Sequence, residues 1–321
     1  MSKVLVTGGA GFIGSHIIDH LYENTDWDLI LLDRLSYAGS LDRLAKYRND
    51  SRVKFYFHDF RAALSDSLIN KLGKIDVIIH SGAETHVGNS LKDPEPFVQS
   101  NVLGTFNMLE ASRKLRPKYF VMVSTDEVFG AAPLGVDYKE DDSFNPTNPY
   151  SGTKAAAECL AKSWAVSYQV PLILTRTMNN FGERQHCEKF VPMVMRKVIK
   201  GETVVIHVDK QGNPGARKWL HARNHADAIL HLLKNGLVGT WHIPGVEVNN
   251  LEIAQIIADC IGKELKYELV DFHSFHPGHD LRYSLDGQKI EKTFWYPKLK
   301  FDEAMKETIK WTLEHKEWIN A

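Results

Sequence analysis

Three cysteines in 321 residues, Cys159, Cys187 and Cys260, are too few and too irregularly spaced for a disulfide framework or a thiolate metal site. A reducing compartment is the expected setting. The fifteen histidines show no metal-ligand spacing either, so no metal is expected. His80, His86, His207 and His221 read as packing or hydrogen-bonding groups. Neither sign of charge dominates: 39 Lys and Arg face 40 Asp and Glu, for a net charge of −1. With no polybasic run, neither nucleic acid nor an anionic membrane surface is an expected partner. No uncharged stretch reaches the roughly 18 residues of a membrane span. The chain passes from Met1 straight into the strand-like Lys3-Val-Leu-Val-Thr7, without a charged-then-apolar leader, and a cytoplasmic location is expected. Repeats and low-complexity segments are lacking as well.

What the chain does have is a regular alternation. Strands are expected at 4–7, 28–33, 53–57, 77–80, 119–124 and 172–175, with helices at 13–22, 97–113 and 150–168. This predicts an α/β fold, a Rossmann-type doubly wound parallel sheet followed by a smaller C-terminal substrate-binding domain. The boundaries expected are 1–177 for the cofactor domain and 178–321 for the remainder, with about 219–245 returning to the first.

The run Thr7-Gly8-Gly9-Ala10-Gly11-Phe12-Ile13-Gly14 follows the first strand and opens a helix. In that context the glycines permit a tight turn, the helix N-terminus can hold a pyrophosphate, and Gly14 lets the helix pack on the strand. Asp33 closes the second strand, where its carboxylate can accept both ribose hydroxyls and would repel a 2′-phosphate. NAD is therefore favoured over NADP, although the adjacent Arg34 is a residue that can meet a phosphate. Asp59-Phe60 reads as an adenine contact or as a solvated loop.

Ser124-Thr125-Asp126-Glu127 ends the apolar run 119–123, and Tyr150-Ser-Gly-Thr-Lys154 begins 23 residues after the glutamate. Tyrosine and lysine four apart share a helical face, so the ammonium is expected to lower the phenol pKa and make a base for an alcohol. Oxidation of an alcohol would need no more than this. The added carboxylate pair supplies an acid and a base for elimination, and mutual repulsion is expected to keep Asp126 protonated while Glu127 acts as base. As bare residues, the two acids could equally cap a turn.

Taken together, these motifs resemble the extended short-chain dehydrogenase/reductases that act on nucleotide sugars. Residues 33–39, Ala83-Glu84-Thr85-His86-Val87, Thr125-Asp126-Glu127-Val128-Phe129-Gly130, Asn179-Asn180-Phe181-Gly182, Glu188-Lys189-Phe190-Val191-Pro192 and Pro277-Gly278-His279-Asp280 narrow the resemblance to nucleoside-diphosphate-glucose 4,6-dehydratases, nearest the dTDP-glucose enzymes. It covers essentially the whole chain. It implies that Tyr150 is the base at the C4 hydroxyl, held by Lys154, with Thr125 on the C4 oxygen, Asp126 the acid at C6 and Glu127 the base at C5. It also implies NAD bound by Gly8, Gly11, Phe12, Ile13, Gly14, Asp33, Ser36, Asp59, Phe60, Thr85, Asn101, Tyr150 and Lys154. Glu84, Thr125, Asn180, Glu188, Lys189, Arg217, His279 and Arg282 would face the sugar nucleotide. Departures from the family pattern at Gly88-Asn89, His207, His276, Trp241-His242 and the 209–218 loop fall mostly at the nucleotide end.

The expected reaction is dehydration of a nucleoside-diphosphate hexose, most readily dTDP-glucose, to the 4-keto-6-deoxy sugar. The alternatives are the same dehydration of a UDP-, CDP- or GDP-sugar, a nucleotide-sugar 4-epimerase or decarboxylase, and a non-catalytic NAD sensor. A homodimer joined through the helices at 97–113 and 150–168 is expected from the same resemblance.

Overall fold

A computed structural model describes residues 2–271 and 282–320. Seven strands pair wholly in parallel: β1 (Lys3–Thr7), β2 (Asp28–Asp33), β3 (Val53–Phe57), β4 (Val77–His80), β5 (Tyr119–Thr125), β6 (Leu172–Thr177) and β10 (Gly239–Ile243). Their order across the sheet is β10-β6-β5-β4-β1-β2-β3. The central strands are largely apolar or β-branched runs because both faces are covered. On one face Ile17 and Leu21 of helix Phe12–Asn24 pack with Ile229 and Leu233 of helix Ala222–Lys234. On the other, Met108 and Leu109 of helix Gly104–Leu115 pack with Ala157 and Ala161 of helix Pro149–Ser167 against Phe120 and Met122.

Strand order reverses between β1 and β4, so a crevice opens beyond their C-terminal ends, the usual ligand position in such sheets. The glycine-rich loop leaves β1 and the 81–86 loop leaves β4 at that point. A smaller layer beside it contains β7 (Asn179–Phe181), β8 (Val204–Val208), β9 (Ala216–His221), β11 (Val246–Asn249) and β12 (Tyr267–Asp271), as the sheets β11-β9-β7 and β12-β8. Helices Phe190–Lys200, Asn250–Ile261 and Phe301–Glu314 cover it, with Val194, Met195, Ile206, Ile257 and Met305 inside.

One expected helix differs. The stretch predicted at 97–113 is a short α-turn, Glu95–Phe97, a π-helical segment, Val98–Leu103, and then α-helix Gly104–Leu115. The π segment carries the buried Ser100 and Asn101 toward the crevice, a placement typical of such segments near functional sites. Among the described residues, no helix is long and apolar enough to cross a membrane.

Candidate active site

A cavity of about 580 Å³ runs along the crevice, within the size range of ligand sites. At one end lies the glycine-rich loop. Gly8 adopts φ +66°, and a Cβ on it would stand 2.5 Å from Gly82 Cα; one on Gly14 would stand 2.1 Å from Gly8 O. Helix Phe12–Asn24 starts at Gly11 with no side-chain cap, leaving the first-turn amides to face the cavity alongside Phe12 and Ile13. The cradle fits a pyrophosphate, held by backbone and free of side chains.

Asp33 lies beside it, pinned through Oδ2 by the Ala10 N–H at 3.0 Å and through Oδ1 by the Leu35 N–H at 2.8 Å. Ser36 and Phe60 also line the cavity. Asp59 does not; its carboxylate is gripped by Arg61 and lies 3.7 Å from Arg34. Asn101 is likewise behind the wall, where Oδ1 accepts from the Glu84 N–H at 2.8 Å and Nδ2 donates to Glu84 O at 3.0 Å and to Thr153 Oγ1 at 3.0 Å.

The chemistry-bearing residues converge at the end of β5 and the start of helix Pro149–Ser167. That helix is fixed by an Asn148–Ser151 capping box with Pro149 in the first turn. Thr125 Oγ1 donates to Asp126 Oδ1 at 3.0 Å and also bonds the Tyr150 side chain. Asp126 is buried, and its Oδ2 takes no hydrogen bond from the protein. Glu127 Oε2 accepts from Asn148 Nδ2 at 3.4 Å. Burial raises Asp126 to about 6; burial and then the charge of Asp126 raise Glu127 to about 7. Arg217, stacked 4.5 Å over the Tyr283 ring, opposes both shifts.

One sequence expectation changes here: Lys154 does not lower Tyr150. The Lys154 ammonium donates to Val123 O at 2.8 Å, and the buried phenol is pushed up by desolvation and by the charge of Glu127. Burial brings Lys154 itself down to about 8, against the opposing charge of Glu158.

On the sugar-nucleotide side, Asn180, Glu188 and Lys189 line the cavity. Asn180 Nδ2 donates to Thr177 Oγ1 and Met178 O, each at 2.9 Å, while its buried Oδ1 is left without a protein donor. Glu188 Oε1 accepts from the Tyr37 hydroxyl at 2.9 Å, and Lys189 Nζ donates to Thr85 O and Oγ1 at 3.2 and 3.3 Å. Thr85 and Glu84 are on the wall, but the Glu84 carboxylate is paired with Arg34. Arg282 stands off the cavity, held by Glu247 and Asp137 and by the carbonyls of Pro133 and Val136, because these groups surround its guanidinium completely. Arg217 reaches the acid pair through its field without lining the cavity. His279 and His276 lie outside the described residues.

Sequence reasoning missed Arg43, which is buried and donates to Ala10 O, Ala38 O and Arg184 O, tying the glycine loop to the segment after β2 and to the smaller layer. It also missed the buried pair of Glu158 and Arg176, joined at 2.8 Å, with Ser124 Oγ donating to Glu158 at 2.6 Å. Glu158 lies four residues beyond Lys154, so a Tyr-x-x-x-Lys-x-x-x-Glu face was a usable signal.

Residues 5–308 match the family described as GDP-mannose 4,6 dehydratase. The chain belongs to this family. Among curated proteins similar to this chain, the low-salt glycan biosynthesis protein Agl12 of Haloferax volcanii is 37% identical over 97% of this chain and 98% of its own. The dTDP-glucose 4,6-dehydratase of Mycolicibacterium smegmatis is 36% identical over 98% of this chain and 95% of its own. The crystal structure of DesIV, a dTDP-glucose 4,6-dehydratase from Streptomyces venezuelae with NAD bound, superposes with TM-score 0.90 at 34% identity, covering 98% of each chain.

Proposed function

We propose that this chain is an NAD-dependent nucleotide-sugar 4,6-dehydratase, with dTDP-glucose its foremost candidate substrate. The observation that carries this reading is the Asp126–Glu127 pair, the aspartate buried and the glutamate partly buried, set in one cavity with Tyr150, Lys154 and Thr125. A simple alcohol oxidation would leave two acids lining the cavity without a task; elimination of water uses both. The glycine cradle, the uncapped helix start and Asp33 would hold NAD, which when bound supplies the hydride acceptor for C4 oxidation and the hydride for C6.

The protein's own groups handle the protons. Tyr150, once ionised, takes the C4 hydroxyl proton, with Thr125 bonding the same oxygen; burial holds the phenol up, and its ionised form would be favoured beside the positive nicotinamide of bound NAD. The C4 ketone acidifies the C5 hydrogen, Glu127 removes it, and Asp126 gives a proton to the departing C6 hydroxyl. Water leaves, and as the C5–C6 double bond is reduced Glu127 returns a proton to C5, so the sequence needs no external oxidant. Elimination requires the form with Asp126 protonated and Glu127 ionised, and burial, which raises both carboxyls, makes a proton on the pair accessible near neutral pH. Asn180, Glu188 and Lys189 would contact the sugar nucleotide.

We read residues 1–177 with 219–245 as the cofactor half and most of 178–321 as the sugar-nucleotide half. We also read the faces of Val98–Leu103, Gly104–Leu115 and Pro149–Ser167 as a homodimer seam. Val98, Leu103 and Phe106 expose apolar surface there, with Trp164 edge-on to Phe106 at 5.8 Å. A cytoplasmic location suits three cysteines that form no disulfide.

The test is to incubate the protein with dTDP-, UDP-, CDP- and GDP-hexoses, with and without added NAD, and read product masses. Loss of one water from a single sugar without net NADH supports the reading; unchanged mass with an inverted C4 centre would replace it with epimerisation. Glu127→Gln should retain NAD binding and lose solvent-hydrogen exchange at C5, and full turnover by that variant would remove Glu127 from the role of base.

A further inference from the structure

Arg34 follows Asp33 at the end of β2, the position from which an arginine can meet a ribose 2′-phosphate. Its guanidinium is already engaged. Nη2 donates to Glu84 Oε1 at 2.5 Å and lies 3.5 Å from Ser100 Oγ, and Nη1 lies 3.7 Å from Asp59 Oδ2. From the far side Arg61 grips Asp59 through Nε at 2.8 and 3.0 Å and Nη2 at 2.5 Å. The two arginines are thus matched by Asp59 and Glu84, while Arg43, the cation whose field Asp33 feels, is held by the carbonyls of Ala10, Ala38 and Arg184.

Glu84 has little freedom to leave. Its backbone N–H and C=O are both clamped by the Asn101 side chain, which is itself tied to Thr153 in the helix that carries Tyr150. The Arg34 and Glu84 side chains are 16% and 12% exposed, so the pair is only weakly screened by solvent.

We propose that Glu84 is a cofactor-specificity determinant: by occupying Arg34, the cation next to Asp33 in the chain, it withholds that guanidinium from a 2′-phosphorylated dinucleotide, reinforcing the repulsion exerted by Asp33. This rests on the reading of the cavity as an NAD site. It differs from the role on the sugar side that family resemblance suggests for Glu84.

Direct binding of NADH and NADPH, followed by fluorescence or calorimetry on purified protein, tests the assignment without any turnover. Asp33→Asn alone should improve the ratio of NADPH to NADH affinity by less than about tenfold, since Arg34 stays engaged. Adding Glu84→Gln should improve it by at least roughly a further tenfold, a gain that shrinks with added salt and disappears when Arg34→Ala is included. Glu84→Ser serves if the glutamine variant does not fold. The proposal is overturned if the ratio is the same with and without Glu84, or if the gain survives loss of Arg34. An unmoved ratio with a raised KM for the nucleotide sugar would place Glu84 on the sugar side instead. Failure of wild-type protein to bind either dinucleotide would refute the cofactor reading itself, an outcome distinct from the other two.

Discussion

Asp126 and Glu127 illustrate how a reactive pair can weigh on the fold that holds it. Each carboxyl has its pKa raised by burial, so the folded protein binds their protons more tightly than the unfolded chain does. Their stabilising contribution is complete below the ordinary carboxyl range and is lost as pH rises toward the raised values of about 6 and about 7. Asp126→Asn or Glu127→Gln should therefore stabilise the protein by about 2 kcal/mol at about pH 8 and by almost nothing at about pH 4, a contrast that denaturant melts at the two pH values would reveal. These residues were legible in the sequence because elimination chemistry demands particular side chains at a strand end and a helix start. The partner of Arg34 was not. Glu84 lies 50 residues away, and a Coulombic pairing across two loops leaves no mark in local sequence. The rise in the Tyr150 phenol was hidden for a related reason: a four-residue spacing places Lys154 on the same helix face, but its Nζ turns to Val123 O, and burial sets the phenol.

At the scale of elements, two glycines separate close approach from mere flexibility. Gly14→Ala would press a Cβ against Gly8 O and drive the first helix off the loop, so it should cost about 1–3 kcal/mol and weaken NADH binding, as melting and titration would show. Gly152→Ala meets nothing within 4 Å inside its helix, and there the substitution should add about 0.5–1 kcal/mol. Six of the seven strands of the main sheet were readable to within two residues because most of them are largely apolar runs covered on both faces; β10 was readable only as part of a returning segment. The helix at 97–113 was readable only as helical: its apolar spacing does not distinguish a π turn from an α turn, and the widened turn is set by where Asn101 must reach.

At the scale of the molecule, the exposed apolar side chains of Val98, Leu103 and Phe106 on one flank give the dimer reading a direct check. Phe106→Glu should convert a dimer into a monomer in sedimentation without changing the circular dichroism, whereas an unaltered sedimentation coefficient would move the seam elsewhere. The doubly wound architecture followed from alternating strands and helices, but which later segments rejoin the sheet could be read only approximately, since β10 is short and its pairing with β6 is a long-range event.

That late pairing bears on how the chain is made. β6 is translated long before β10, and helix Ala222–Lys234, which packs on the helix opened by the glycine loop, also arrives after β7, β8 and β9. A nascent chain emerging from the ribosome thus holds every residue from Gly8 to Lys154 while its sheet still ends in an open edge and one face lacks its cover. Until residue 243 has emerged, the growing polypeptide carries the full set of catalytic side chains on a sheet whose β6 edge is still open to pairing with a neighbour.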